Sequence, residues 1–204
     1  MKNKKFFYSL FFIALFIGFY FVMNSVIPDF TKSRFEPIGK VLPFSFINQN
    51  GETITEKDVE GKVFVTEFFF TSCKSICPRM NNNMREVHEK FKGEKDFLIL
   101  SHTCDPETDS PAILKRYSDS LGVSTKQWIF LTGRKDSLYN MARKSYKIDD
   151  PNNNVKNIED DFLHSQFFAL VDKKGRVKKI YDGIKMSEVS DMMIEIKFLL
   201  KEKR

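Results

Sequence analysis

Cys73 and Cys77 stand four apart in the run Phe68-Phe69-Phe70-Thr71-Ser72-Cys73-Lys74-Ser75-Ile76-Cys77-Pro78. Thiolates at this spacing can converge on one soft metal ion or join as a disulfide. Either use asks for sulfurs on an accessible loop rather than in a core. The apolar run ending at Phe70 reads as the strand that delivers this loop. Pro78 then favours the first turn of a helix, where its missing N–H costs nothing. Thiols near a helix N-terminus feel the positive end of the macrodipole, which favours thiolate over thiol. The plain alternative is an inert structural disulfide, although a loop this short removes little chain entropy.

Other residues could join or complete a site. His164 begins a strand, and on spacing alone a ligand and an ordinary strand-start histidine are equally open. Two sulfurs and one imidazole would make a three-coordinate site that suits copper, thiolate favouring Cu(I) and imidazole accepting either oxidation state. A closed zinc site wants four ligands, which His102 or Cys104 could complete. His102 and Cys104 lie two apart on an extended stretch and share a face; the bland reading is a capped strand end with a buried thiol. Asp105, Glu107 and Asp109 resemble a carboxylate cluster, but Asp109 beside Ser110-Pro111 is also a good helix-start residue. His88, beside Val87 on a charge-rich helix, is expected at the surface. The Met-bearing helices read as core, since no Met-x-x-Met cluster lies near the cysteines.

The elements that must position these groups alternate along the chain. Phe44 to Ile47, Asn50-Gly51 and Glu52 to Thr55 read as a hairpin, Asn-Gly being a strong turn signal. Val63 to Phe70, an apolar run broken by Thr66 and Glu67, and Phe97 to His102 read as strands buried on both faces. Between them Met80, Met84, Val87 and Phe91 recur at helical spacing. A helix opens at Ser110-Pro111 and closes at Gly122. Trp128 to Leu131 is a third strand, and Leu138, Met141 and Ala142 mark a short helix. The stretch from Asp149 to Asp161 is Asn- and Asp-rich and reads as a loop. Gln166 to Val171 and Arg176 to Tyr181 form a hairpin around Asp172-Lys173-Lys174-Gly175. Val189, Met192, Met193, Ile196 and Leu199 mark a C-terminal helix. The pattern implies an α/β domain with a central mixed sheet and helices on both faces. Sites in such sheets form at the carboxyl ends of strands, where Cys73, Cys77, His102 and Cys104 all fall.

Ahead of this domain, Lys2, Lys4 and Lys5 precede an apolar run from Phe6 to Ile27, about the length of a membrane-spanning helix. The expected organisation is a basic cytoplasmic tail over 1–5, a transmembrane anchor over 6–27, a linker over 28–40 and one domain over 41–204. Val26-Ile27-Pro28-Asp29 is a poor cleavage site, and no cysteine near the run offers a lipid attachment point. The lysines orient the helix so that the domain lies outside, on the periplasmic side of a bacterial inner membrane. Thiols in that compartment are kept oxidised unless a reductant or a metal protects them. The net charge of +6 comes from basic residues scattered among acids, a solvated surface and not a nucleic-acid footprint. Three cysteines are too few for a disulfide scaffold.

The segment Thr71 to Pro78 resembles the signature of the SCO/SenC family, membrane-anchored copper proteins with a thioredoxin-like fold. Cys104-Asp105-Pro106-Glu107-Thr108-Asp109-Ser110-Pro111 is similar to the family's Asp-Pro-Glu segment. Trp128 to Gly133 resembles its tryptophan strand. His164-Ser165, followed by Phe167 to Asp172 and Gly175, resembles its histidine strand. The resemblance spans roughly Pro43 to Tyr181. Two departures stand out: Leu163 occupies a position where the family commonly has Asp, and Cys104 stands where an apolar residue is expected.

The resemblance implies one copper ion, Cu(I) or Cu(II), held by Cys73, Cys77 and His164. It also implies a role in assembling the copper centre of cytochrome c oxidase. The partner would be the copper-bearing subunit of that oxidase or another copper protein, by metal delivery, thiol reduction or both. The rival reading is a thiol-disulfide oxidoreductase using Cys73 and Cys77 as its redox pair, although such enzymes usually carry Cys-x-x-Cys. A peroxidase would need a single peroxidatic cysteine in a donor-rich pocket, which the sequence does not identify.

Overall fold

A computed structural model describes residues 2–26, 36–149 and 165–202. The chain divides into two compact units, residues 1–34 and residues 35–204. The first holds one helix, α1 (Lys2–Val26). Its stretch Lys4–Phe21 has a mean hydropathy of 1.5 and is long and apolar enough to cross a membrane. Within this unit the side chains of that stretch are all exposed.

The second unit is built on an eight-stranded sheet. In chain order its elements are β1 (Gly39–Lys40), β2 (Ser45–Asn48), β3 (Thr53–Thr55), β4 (Val63–Phe69), α2 (Cys77–Lys90), β5 (Phe97–Thr103) and α3 (Pro111–Leu121). They continue with β6 (Trp128–Thr132), α4 (Lys135–Asn140), a π-helical turn (Met141–Ser145), β7 (Phe167–Val171), β8 (Arg176–Asp182) and α5 (Met186–Lys201). The strand order is β1-β8-β7-β4-β5-β6-β2-β3. β4, β5 and β6 run parallel, and the other pairs are antiparallel. Gly39–Lys40, at the end of the segment read as a linker, pairs with β8.

Every residue of β4 and of β5 is buried, as their largely apolar runs imply for strands covered on both faces. Alternation along β4 separates two cores. Val63, Val65 and Phe69 face Met80, Met84 and Val87 of α2, Leu114 of α3 and Val189, Met192 and Ile196 of α5. Phe64 and Phe68 face Phe44 and Phe46 of the N-terminal hairpin and Leu138, Tyr139, Ala142 and Tyr146 on the other side. The expected α/β architecture, with helices on both faces and a hairpin ahead, is the one observed. Gly122 closes α3 at φ +66°, a conformation that glycine adopts without steric cost.

His88 is not at the surface. It is 1% exposed, with its ring centroid 5.9 Å from that of Trp128. It follows Met84 by one turn and Met80 by two, so it falls on the core stripe of α2. Burial holds its imidazole below the usual pKa, against the pull of Glu89, whose carboxylate is 3.3 Å from Nδ1.

Candidate metal centre

β4 ends at Phe69, and the chain turns at once: the Cys73 N–H donates to Phe70 O at 3.2 Å. Cys77 is the first residue of α2, and Pro78 occupies the first turn as its ring geometry favours. Both cysteines are free thiols, Cys73 half-buried and Cys77 buried. Cys77 thus sits in the core edge beside Met80 and Phe69, not on an accessible loop.

The two thiols are electrostatically unlike. Burial raises Cys73, but hydrogen bonds from the Cys77 thiol, from the Cys77 and Ser75 backbone N–H groups and from Ser75 outweigh it and leave it below the ordinary value. The Ser75 Oγ lies 3.7 Å from Cys73 Sγ. Burial pushes Cys77 up to about 12, and its hydrogen bond to Cys73 and the nearby Cys73 and Glu67 charges push the same way. The helix N-terminus therefore does not make both sulfurs thiolates; Cys73 alone is favoured.

A cavity of about 200 Å³ opens between them. Its walls include Cys73, Ser75, Ile76 and Cys77 from the cysteine loop, Cys104 from the end of β5, and Ser165. Cys104 follows Thr103 and is placed by its N–H, which donates to Phe69 O at 2.7 Å. Ser165 leads into β7. There Gly183 donates its N–H to Gln166 O at 2.8 Å, and a Cβ at that glycine would lie 2.6 Å from the Phe168 ring. Only a glycine lets the end of β8 lie this close to the start of β7.

His164, the residue before Ser165, falls outside the described residues, as do Leu163 and the loop from residue 150. Among the described residues, no three His, Cys, Asp or Glu side chains stand where they could hold one metal ion. The cysteine pair offers two sulfur donors, and soft sulfur suits a monovalent copper ion. The carboxylates Asp105, Glu107 and Asp109 do not form a metal cluster: Glu107 is exposed, whereas Asp109 is fully buried.

His102 lies apart from the cavity. It is wholly enclosed on the other face of the sheet, stacked on Phe68 at 5.0 Å and flanked by Phe46 and Tyr146. Neither ring nitrogen has a hydrogen-bond partner, and burial depresses its pKa to about 3. It and Cys104 do belong to the same core, as their spacing implies, but only Cys104 reaches the cavity wall.

One residue near the site reads in the sequence only as a break in an apolar run. Glu67 interrupts an apolar strand, fully buried on the α2 face between Val65 and Phe69. Its Oε1 accepts from Ser101 at 2.6 Å, its Oε2 has no partner, and desolvation raises it to about 7. A charged residue inside a β-run was the available signal.

A sequence profile described as SCO1/SenC matches residues 35–200. The SCO1 protein homolog of Bacillus subtilis (strain 168) is 35% identical over 162 residues, covering 78% of this chain and 81% of that protein. The solved structure of BsSco, a member of the Sco family of cytochrome c oxidase assembly proteins in which a disulfide switch was identified, is 32% identical. It covers 84% of this chain and all of that one with a TM-score of 0.70. Yeast Sco1, solved with copper bound, is 27% identical with a TM-score of 0.58, covering 79% of this chain and 94% of that one. The thioredoxin-like sheet, the Cys-x-x-x-Cys loop at the carboxyl end of its central strand β4 and this profile match lead to one conclusion: the chain belongs to the SCO1/SenC family.

Proposed function

We propose that this protein binds one copper ion through Cys73, Cys77 and His164 and uses it in assembling the copper centre of cytochrome c oxidase. The observation that carries this reading is the thiol cavity, where two sulfurs meet Ser165, the immediate neighbour of His164. Its kinship with Sco proteins described in cytochrome c oxidase assembly or solved with copper supports the same reading. Copper is the cargo, a soft ion that two thiolates and an imidazole hold in three-coordinate form.

The chain's own groups divide the work. Cys73, half-buried and favoured as thiolate, is the first sulfur available to an incoming ion. Cys77 must lose a proton to join it, so loading releases a proton and strengthens with pH. His164 must be neutral to coordinate, and its release opens the site to an acceptor protein. The helix α1 would anchor the domain in the membrane with the lysines on the cytoplasmic side, leaving the site on the periplasmic side with its oxidase partner.

A second reading, thiol-disulfide exchange with a partner protein, is favoured by the unlike thiols. A half-buried, activated Cys73 backed by a buried Cys77 is the arrangement of an attacking and a resolving thiol. Metal analysis of the reduced protein separates the two. Copper reading predicts stoichiometric binding lost in Cys73→Ser and Cys77→Ser; exchange alone predicts turnover of a disulfide substrate with no retained copper.

A further inference from the structure

Asp109 precedes α3, and its carboxylate is wholly buried. It does not cap that helix; the N-cap is Ser110, which makes no side-chain cap bond. Its oxygens are turned to the cysteine loop and to β5 instead. The Thr71 N–H donates to Oδ2 at 3.1 Å, and the Thr71 hydroxyl donates to Oδ1. The Thr103 hydroxyl donates to Oδ2 at 2.5 Å, while its oxygen accepts the Asp105 N–H at 2.9 Å.

Thr71 stands two residues before Cys73, and Thr103 stands directly before Cys104. One carboxylate therefore fastens the base of the cysteine loop to the strand end that supplies the third cysteine. Charge-assisted hydrogen bonds of this kind, shielded from water, are the strong ones. At the base of the loop the two Thr71 bonds to Asp109 join the tie from Cys73 N to Phe70 O, while the bonds around Cys73 Sγ lie within the loop itself. The loop is held while Cys73 and Cys77 remain separate thiols.

We propose that Asp109 is a positioning residue of the thiol site: through Thr71 it fixes the base of the Cys73 loop and favours the separate-thiol, metal-accepting geometry over the Cys73–Cys77 disulfide. The inference deepens the copper reading and rests on it only for the metal measurement. The thiol measurement stands by itself. In exchange with glutathione disulfide, the two thiols lose two protons and two electrons, the Cys73–Cys77 S–S bond forms, and the glutathione S–S bond breaks to give two glutathione thiols.

The test uses the full chain in detergent, with Asp109→Asn, Thr71→Val and Thr103→Val. Three quantities are read: the dithiol-disulfide equilibrium against glutathione, Cu(I) affinity by competition with a chromophoric chelator, and thermal unfolding. Loss of one charge-assisted bond in Asp109→Asn should shift the thiol equilibrium toward disulfide by roughly tenfold, about 30 mV for this two-electron couple. Thr71→Val should shift it in the same direction. Thr103→Val should cost comparable thermal stability yet leave the thiol equilibrium within about twofold, since Asp109 keeps both Thr71 bonds and is still held by its own N–H to Asp105 O at 2.9 Å. A thiol equilibrium unchanged in both Asp109→Asn and Thr71→Val would overturn the proposal, and so would equal shifts in Thr71→Val and Thr103→Val. If Asp109→Asn fails to fold, the two threonine variants decide. Failure of the wild-type chain to bind Cu(I) would sink the copper reading while leaving the thiol result to judge Asp109.

Discussion

Ser101 on β5 donates its hydroxyl to Glu67 on β4 at 2.6 Å, across the parallel pair that also aligns the two residues in register. The Trp128 indole in turn donates to Ser101 Oγ at 2.8 Å, so both polar groups are enclosed by ring and sheet. One hydrogen bond does not offset the removal of a carboxyl from water, and Glu67 is raised to about 7.

A pH dependence of stability follows. The folded state holds the Glu67 proton more tightly than the unfolded chain, so its contribution is whole below about 4.5 and is lost as pH rises through about 7. The loss by pH 8 is roughly 3 kcal/mol. Urea unfolding of wild type and Glu67→Gln between pH 4.5 and 8 checks this. The variant should lack the decline, and parallel curves would count against it.

His102 acts in the opposite sense. Its folded pKa of about 3 lies below the unfolded value of 6.5, so the unfolded chain takes up a proton first as pH falls. Its contribution is present above about 6.5 and is lost as pH falls toward 3, a change of roughly 4–5 kcal/mol. His102→Phe, which keeps an aromatic ring between Phe46 and Phe68, should flatten the acid limb of the stability curve without altering copper binding.

The two site thiols should differ in reactivity. Iodoacetamide at neutral pH should label Cys73 at least roughly 100-fold faster than Cys77 or Cys104, because only Cys73 is both accessible and lowered in pKa. Peptide mapping over time gives the order, and Cys77 labelling first would contradict the asymmetry.

The third-ligand assignment makes its own prediction. His164→Ala should weaken Cu(I) binding by about 1–2 orders of magnitude, as loss of one of three donors would. Wild-type affinity should also fall below a pH of roughly 6.5, where imidazole protonates. A chelator competition series over pH reads both. His88→Ala should leave affinity unchanged, since its ring packs on Trp128 in the core.

Much of this architecture was legible in residue order. The largely apolar runs of β4 and β5 marked strands covered on both faces, and Asn50-Gly51 and Gly175 marked the turns. The cysteine spacing, Pro78 and the placement of Cys104 beside the site were equally readable. What escaped was polar burial. His88 sits on a helix whose neighbours in sequence are charged, and only the one-turn relation to Met84 shows that it faces inward. Asp109 carries every local sign of a helix cap, but a partner at Thr71, thirty-eight positions earlier, captures its oxygens. Glu67 and His102 owe their altered acidity to full enclosure, a property of three dimensions that spacing does not encode.

The most direct measurement is the copper content and X-ray absorption spectrum of the reduced full chain loaded with Cu(I) and freed of excess metal. One copper per chain, bound by two sulfurs and one nitrogen, with the copper lost in both Cys73→Ser and Cys77→Ser, is the predicted result. Copper retained at full stoichiometry in the Cys73→Ser, Cys77→Ser double variant would contradict the assignment of this site.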